Sequence, residues 1–165
     1  MTGRVLAIVE RLALLGVAPA DSDEVRTRKA TLTLAALTVA VLAVVWVGTY
    51  LVLGLPTSAA IPFTYQVASV VTFAIFARTK DFRVFRVSQL GLILLLPFLL
   101  QLSLGGYMAS SAVILWALIG ALGALFFSTQ REAVLWFAAF IALTLVAALL
   151  EPVVSVHPAA VPIPI

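Results

Sequence analysis

The sequence lacks cysteine altogether and contains a single histidine, His157. Disulfide bonds, thiolate nucleophiles and metal sites built from cysteine or from several histidines are therefore excluded. Charge is scarce as well, because only 10% of the residues are Asp, Glu, Lys or Arg, whereas a soluble domain carries about 25%. So few charged groups cannot cover a water-facing surface, and the composition predicts a membrane protein.

Long uncharged runs make up most of the remaining chain. The 165 residues are 64% hydrophobic with a mean hydropathy of +1.21. Uncharged stretches of 48 and 44 residues follow Lys29 and Arg86, and because a helix crosses the bilayer in about 20 residues, each is read as two spans joined by a turn. Open sheets are excluded at membrane depth. We therefore predict an all-α polytopic transmembrane bundle over residues 21–151, with five spans near 30–53, 59–77, 88–104, 108–127 and 131–150.

The basic residues are distributed asymmetrically. All ten lie before the first span, between the second and third, or between the fourth and fifth, while the loops 54–60 and 105–111 carry no charge. The positive-inside rule then predicts a cytoplasmic N-terminus in the inner (plasma) membrane. The net charge of +3 is explained by anionic lipids rather than by nucleic acid. The predicted anchor residues are Arg26, Arg28, Lys29, Arg78, Lys80, Arg83, Arg86 and Arg131.

The two termini differ from the spans. Residues 1–20 are predicted to form an amphipathic segment in the inner interface, with Arg4 and Arg11 on one face. A cleaved secretory signal ending near Ala18-Pro19-Ala20 is the alternative, although cleavage would move the next basic residues outside. The proline-rich residues 152–165 predict an extended extracytoplasmic tail. Capping boxes are predicted at Asp21–Glu24 and at Thr129–Glu132, and Pro97 is expected to kink the third span.

Catalytic constellations are absent from the sequence. No charged residue lies within the apolar runs, where pumps and membrane enzymes place them, and there is no carboxylate pair, nucleophile with a base, phosphate-binding loop or zinc motif. Catalysis and proton-coupled transport by these residues are therefore not expected, and no cofactor is predicted.

Neutral polar residues cluster toward the predicted outer side. They could converge on a shallow ligand pocket, in which Glu151, the one carboxylate outside, would attract a metal cation or an amine. The alternative is packing between helices, at roughly 0.6 kcal/mol for each hydrogen bond. The candidate pocket residues are Tyr65, Gln66, Gln101, Ser103, Tyr107, Ser110, Ser111 and Glu151.

Small residues at four-residue spacing mark close helix contacts. They indicate either a homodimer seam or packing within one bundle. The residues are Ala117, Gly120, Ala121 and Ala124 in the fourth span and Ala138 and Ala142 in the fifth. The basic cluster from Arg78 to Arg86 similarly fits either a membrane anchor or a docking site for a cytoplasmic domain.

The segment from Gln101 to Glu151 contains a Q-L-S-L-G-G-Y start, a long apolar stretch, S-T-Q-R-E-A and a closing L-L-E-P. With these features it resembles the N-terminal membrane anchor of bacterial class III adenylate/guanylate cyclases. The resemblance covers about residues 25–160 and is most specific at Leu104-Gly105-Gly106, Ser110-Ser111, Trp116 and Gly123-Ala124-Leu125.

This resemblance implies six helices, an external proline-rich loop before the sixth, and a cytoplasmic catalytic domain that is active as a homodimer. The chain ends within what would be that loop, so the family's metal- and ATP-binding residues are expected beyond it. We therefore expect an anchor and sensor for cAMP-type signalling, with no ligand named by the sequence. The alternatives are a complete five-span structural or transport-complex subunit and the anchor of a histidine kinase.

Overall fold

The computed structural model describes Ala7 and residues 11–156, and in these residues it contains helices and turns but no strand. Four helices are long and apolar enough to cross a membrane, which confirms the all-α class and fits a membrane bundle. A shorter apolar helix lies between the third and fourth of them. The elements are α1 (Asp23–Val52), α2 (Pro56–Thr79), α3 (Phe82–Leu104), a 3-10 helix (Val113–Trp116), α4 (Ala117–Phe127) and α5 (Gln130–Val154).

Side-chain caps set the helix starts in the charged loops. Ser22 caps α1 by accepting a hydrogen bond from the Val25 amide at 3.4 Å. The predicted capping box at Thr129 and Glu132 is confirmed at the start of α5. Asp81 caps α3 in the same way. Because Ser, Thr and Asp oxygens satisfy amides that have no intrahelical partner, the polar loop residues explain why these helices begin where they do.

The helix bounds differ from those of the predicted spans, most clearly in α1, α3, α4 and α5. Helices α1 and α3 begin before residues 30 and 88, extending into the charged loops. The fourth span is shorter than 108–127, because Ser111 and Ala112 adopt left-handed φ angles of 53° and 54° and the helical structure starts only at Val113. Helix α5 continues past Pro152 to Val154. Residues 157–165 of the predicted tail, and residues 1–6 and 8–10 of the predicted interfacial segment, lie outside the described part of the chain.

Each helix packs against the next along the chain, and α3 contacts all four of the others. We call the end at which α1 and α5 begin and α2 ends the charged end, and the other end the opposite end. At the charged end the Phe76 and Phe85 rings stack with centroids 4.4 Å apart, against Leu32 and Ala36. Farther along, α3, α4 and α5 meet around Leu94, Ala121 and Phe140. Apolar packing thus holds α3 at the centre of the bundle.

The small residues divide into two groups. Those of α4 are buried, and Gly120 lies so close to α3 that a Cβ there would sit 3.3 Å from Ile93. Small residues allow such close backbone approach. Ala138 and Ala142 are instead exposed on α5. The α4 residues therefore pack within one bundle, while a dimer seam remains a prediction for the α5 face alone.

This division can be tested by enlarging one residue on each helix. Ala124 is fully buried against Leu90 and Ala133, so Ala124→Leu overpacks the core and we expect a loss of about 1–3 kcal/mol of stability. The measurement is the thermal unfolding temperature of the detergent-solubilised protein. Ala138→Leu is the matched control and is expected to change it little. Equal effects of the two substitutions would contradict the packing described for α4.

Candidate functional site

At the opposite end, Glu151 joins the last turn of α5 to the loop that follows α3. Its two carboxylate oxygens accept hydrogen bonds from the Tyr107 amide at 3.0 and 2.9 Å. The Tyr107 hydroxyl donates to the Thr144 carbonyl at 2.7 Å. Thr144 lies about two helical turns before Glu151 in α5. The loop of residues 105–112 is therefore attached to α5 at two points. Glu151 thus has a structural role here, because it accepts a hydrogen bond from an amide that has no partner within a helix.

Two glycines make this contact possible. Gly105 and Gly106 have φ angles of 98° and 97°, in the left-handed region that side chains disfavour. A Cβ at Gly106 would also overlap the Glu151 carboxylate. The Gly-Gly pair therefore ends α3 and lets the chain pass close to Glu151.

The remaining polar residues of this end have separate surroundings. Gln101 is fully buried, and its Oε1 accepts a hydrogen bond from the Ile114 amide at 3.2 Å, which holds the 3-10 helix against α3. The hydroxyls of Ser103 and Ser58 lie 3.1 Å apart and join α3 to α2. Within the described residues, Ser110 Oγ and Gln101 Nε2 are buried without a partner. Ser111 is exposed at the left-handed turn.

The structure thus brings only part of the predicted pocket together. Tyr107 and Glu151 are in direct contact, whereas Gln66 donates to the Ala40 carbonyl of α1 at 3.2 Å and Tyr65 faces α1 and α3. In the part of the chain that is described, no group of three or more His, Cys, Asp or Glu residues could hold a metal ion. Glu151 therefore belongs to no such group among the described residues.

A polar network that sequence reasoning missed is centred on Gln89 of α3. This side chain is fully buried; its Oε1 accepts from the Tyr65 hydroxyl at 3.1 Å and from Ser69 at 3.4 Å, and its Nε2 donates to Thr72 at 3.0 Å. The Tyr65 hydroxyl also lies 3.4 Å from the Ala36 carbonyl of α1. The sequence signal was present, because Tyr65, Ser69 and Thr72 share one helical face.

An apolar groove of about 130 Å³ lies between α1, α2, α3 and α4. At its margin, the rings of Trp46 and Trp116 meet edge to face with centroids 5.5 Å apart. Of the predicted pocket residues, only Tyr65 lines it. Its walls are otherwise formed by apolar side chains, namely Val39, Leu42, Ala43, Trp46, Ile61, Pro62, Leu92, Ile93, Leu96, Pro97, Leu100, Val113, Trp116 and Ile119.

At the charged end, Lys29 is buried rather than free in solvent. Its Nζ lies 2.8 Å from Asp21 Oδ2 and 3.3 Å from the Lys80 carbonyl, and it sits 5.9 Å from the centroid of the Phe76 ring. Lys80 Nζ in turn donates to the Leu15 carbonyl. These contacts attach the segment before α1 to the ends of α1 and α2, which the positive-inside assignment did not anticipate.

Arg86 forms a second attachment at the same end. Its guanidinium lies 2.9 Å from the Glu132 carboxylate and donates to the Phe127 carbonyl at 2.7 Å, so it joins α3 to the connection between α4 and α5. The other predicted anchor residues are exposed, and one of them, Arg28, pairs with Glu24 of the same helix at 2.8 Å. The exposed residues are Arg26, Arg28, Arg78, Arg83 and Arg131.

No protein-family model, curated protein or solved structure matches this chain. Function therefore has to be inferred from the charge distribution, the helix contacts and the groove.

The Lys29–Asp21 contact gives a pH-dependent prediction. The hydrogen bond from Lys29, and then that from the Ala18 amide, hold the pKa of Asp21 below its ordinary value of 3.8. A carboxyl whose pKa is depressed in the folded state contributes stability above its unfolded pKa, and this is lost as the pH falls through the folded pKa. We expect Asp21→Asn to lower the unfolding temperature at neutral pH. The variant should also lack the part of the stability loss on acidification that protonation of Asp21 causes.

Asp23→Asn is the matched control for that measurement. Asp23 is exposed in the first turn of α1 and belongs to no ion pair of the described residues. It should leave the neutral-pH unfolding temperature nearly unchanged. Identical behaviour of the two variants between neutral and acidic pH would show that the Lys29–Asp21 pair does not attach the segment.

Proposed function

We propose that this chain is the inner-membrane anchor, and the sensing part, of a homodimeric bacterial class III adenylate/guanylate cyclase. The observation that carries the proposal is the segment from Gln101 to Glu151, which resembles such anchors. Some of its marker residues occupy conformationally constrained positions: Gly105, Gly106 and Ser111 have positive φ angles, and Gly106 lies against the Glu151 carboxylate. The resemblance therefore includes turn residues with a structural role as well as an apolar pattern.

The anchoring part is supported by the charge distribution over the helices. Basic side chains are found at one end of a bundle in which four helices are long and apolar enough to cross a membrane. The proposal counts the shorter α4 as a fifth crossing, so with the charged end in the cytoplasm the residues after α5 lie outside. A cytoplasmic catalytic domain then requires one further crossing beyond Ile165, which is part of the proposal.

The sensing part is supported by the way the helices are connected. Helix α3 contacts every other helix and carries both Gln89 and Arg86, which bond to α2 and to the α4–α5 connection. A shift of α3 would therefore change several contacts at the charged end together. An external ligand could bias such a shift only by its differential affinity for the two arrangements.

A structural or transport-complex subunit is the second candidate. It is favoured by the number of predicted pocket residues that bond to neighbouring helices, as Gln66, Ser103 and Glu151 do. The anchor of a histidine kinase would have the same bundle and differ only in its output domain.

The reading frame after Ile165 discriminates among these functions. The proposal expects another apolar helix followed by a catalytic domain with class III metal- and nucleotide-binding residues, and nucleotide cyclase activity of the full-length protein. A stop codon there would favour the structural or transport-complex subunit. A kinase domain there would favour the anchor of a histidine kinase. Either result would overturn the proposal.

The orientation is testable by cysteine labelling, since the chain has no native cysteine. Met108 is 91% exposed in the loop after α3, and Thr79 is exposed at the charged end of α2. A membrane-impermeant maleimide should label Met108→Cys on intact cells but Thr79→Cys only after permeabilisation. The opposite pattern would reject a cytoplasmic charged end.

A further inference from the structure

The groove between α1 and α4 has properties that differ from those of the predicted polar pocket. Its walls are aliphatic side chains, two prolines and two indoles, and Tyr65 directs its hydroxyl away to Gln89 and the Ala36 carbonyl. Among the described residues, no charged side chain lines the groove. Water gains no hydrogen bonds in such a space, since apolar cavities of this kind stay dry. A polar or charged ligand would also be left without partners.

The groove is accessible from the side of the bundle. Its wall residues Leu42, Trp116 and Ile119 are 47%, 51% and 50% exposed. They belong to elements that flank the groove at mid-helix or toward the opposite end, where the surrounding medium of a membrane bundle is hydrocarbon. Whatever enters from that side must therefore itself be soluble in lipid.

We propose that this groove binds one acyl chain of a bilayer phospholipid. Lipid is already as apolar as the walls, so affinity arises from van der Waals packing and not from the hydrophobic effect. An unfilled groove leaves its wall atoms without contact partners on one side. A flexible, unbranched chain can restore those contacts without desolvating any polar group.

Charge argues for a phospholipid chain over a free fatty acid. No lysine or arginine follows Arg131, and the loops at the opposite end carry none. The carboxylate of a fatty acid entering near that end would find no cation there, and Glu151 lies at the same end with its own negative charge. A zwitterionic phospholipid carries its own cation beside its phosphate, so its head group needs no lysine or arginine at that end and its acyl chain alone enters the groove.

Occupancy would be sensed by Tyr65. Its ring forms part of the groove wall, while its hydroxyl bonds to Gln89 of α3 and contacts α1. A bound chain therefore packs against a residue that joins the two helices. The use of this contact as a signal rests on the proposed sensor function, whereas the binding itself does not.

The test uses tryptophan fluorescence of the 165-residue chain in detergent micelles. Two of its three tryptophans, Trp46 and Trp116, line the groove, and Trp136 packs between α3, α4 and α5. Trp116→Phe with Trp136→Phe leaves Trp46 as the single reporter. Phosphatidylcholine with brominated acyl chains, which quenches indoles on contact, is titrated into this protein, and brominated stearic acid is titrated in parallel.

We expect saturable quenching of Trp46 by the brominated phosphatidylcholine. Val39→Phe fills the groove from α1 and should raise the apparent dissociation constant about tenfold or more, equivalent to ~1.4 kcal/mol. Val41→Phe makes the same change on the outward face of α1, where Val41 is 69% exposed, and should bind like the parent.

A second pair of variants keeps the test valid if Val39→Phe fails to fold. Ile119→Phe fills the groove from α4, and Ile141→Phe is its matched control on the exposed face of α5. Loss of saturation in the two groove variants alone would support the proposal. Linear quenching throughout, or saturation that the groove variants leave unchanged, would overturn it.

The remaining outcomes identify other occupants. Saturation by brominated stearic acid but not by the phosphatidylcholine would reject the phospholipid chain. If quenching of Trp46 by brominated lipid decreased as the protein concentration rose, the groove would be assigned to a second copy of the chain. That result would also reject the proposal. Because no output domain takes part, failure here is distinct from failure of the cyclase assignment, which depends on the residues after Ile165.

Discussion

The requirement that main-chain polar groups be paired without help from water determines much of this structure. Helices satisfy most of these groups internally, and hydrocarbon offers no partner for the rest. Polar side chains meet that need at three places: Glu151 accepts from the Tyr107 amide, Gln101 accepts from the Ile114 amide, and Arg86 donates to the Phe127 carbonyl. Each of these bonds also attaches one helix or loop to another.

The two ends of the bundle pair their main-chain polar groups with different kinds of side chain. At the charged end, cations bond to carbonyls and carboxylates, as Lys29 does with Asp21 and the Lys80 carbonyl. At the opposite end, where the loops are uncharged, a lone carboxylate bonds to an amide of a glycine-containing turn. The charge asymmetry that indicates orientation therefore also determines which kinds of attachment each end can form.

The predicted polar pocket and the observed groove are formed by different kinds of residue. Two of the predicted pocket residues, Gln66 and Ser103, bond to neighbouring helices, which is the packing alternative for such residues. The groove is lined in part by residues that the sequence cannot distinguish from exposed ones, since the partly buried Val39, Ile61 and Ile93 are of the same types as the exposed apolar residues of their helices. Only helix packing distinguishes the two sets.

Composition and residue spacing were sufficient to predict the all-helical class, apolar helices long enough to cross a membrane and the capping box at Thr129, because these depend on hydropathy and on contacts within one turn. The burial of Lys29, the Gln89 network, the shortened fourth segment and the groove depend on which helix faces meet. Contacts between residues far apart in the chain, such as Tyr65 with Gln89 or Tyr107 with Glu151, leave no periodic signal, so the tertiary structure alone decided them.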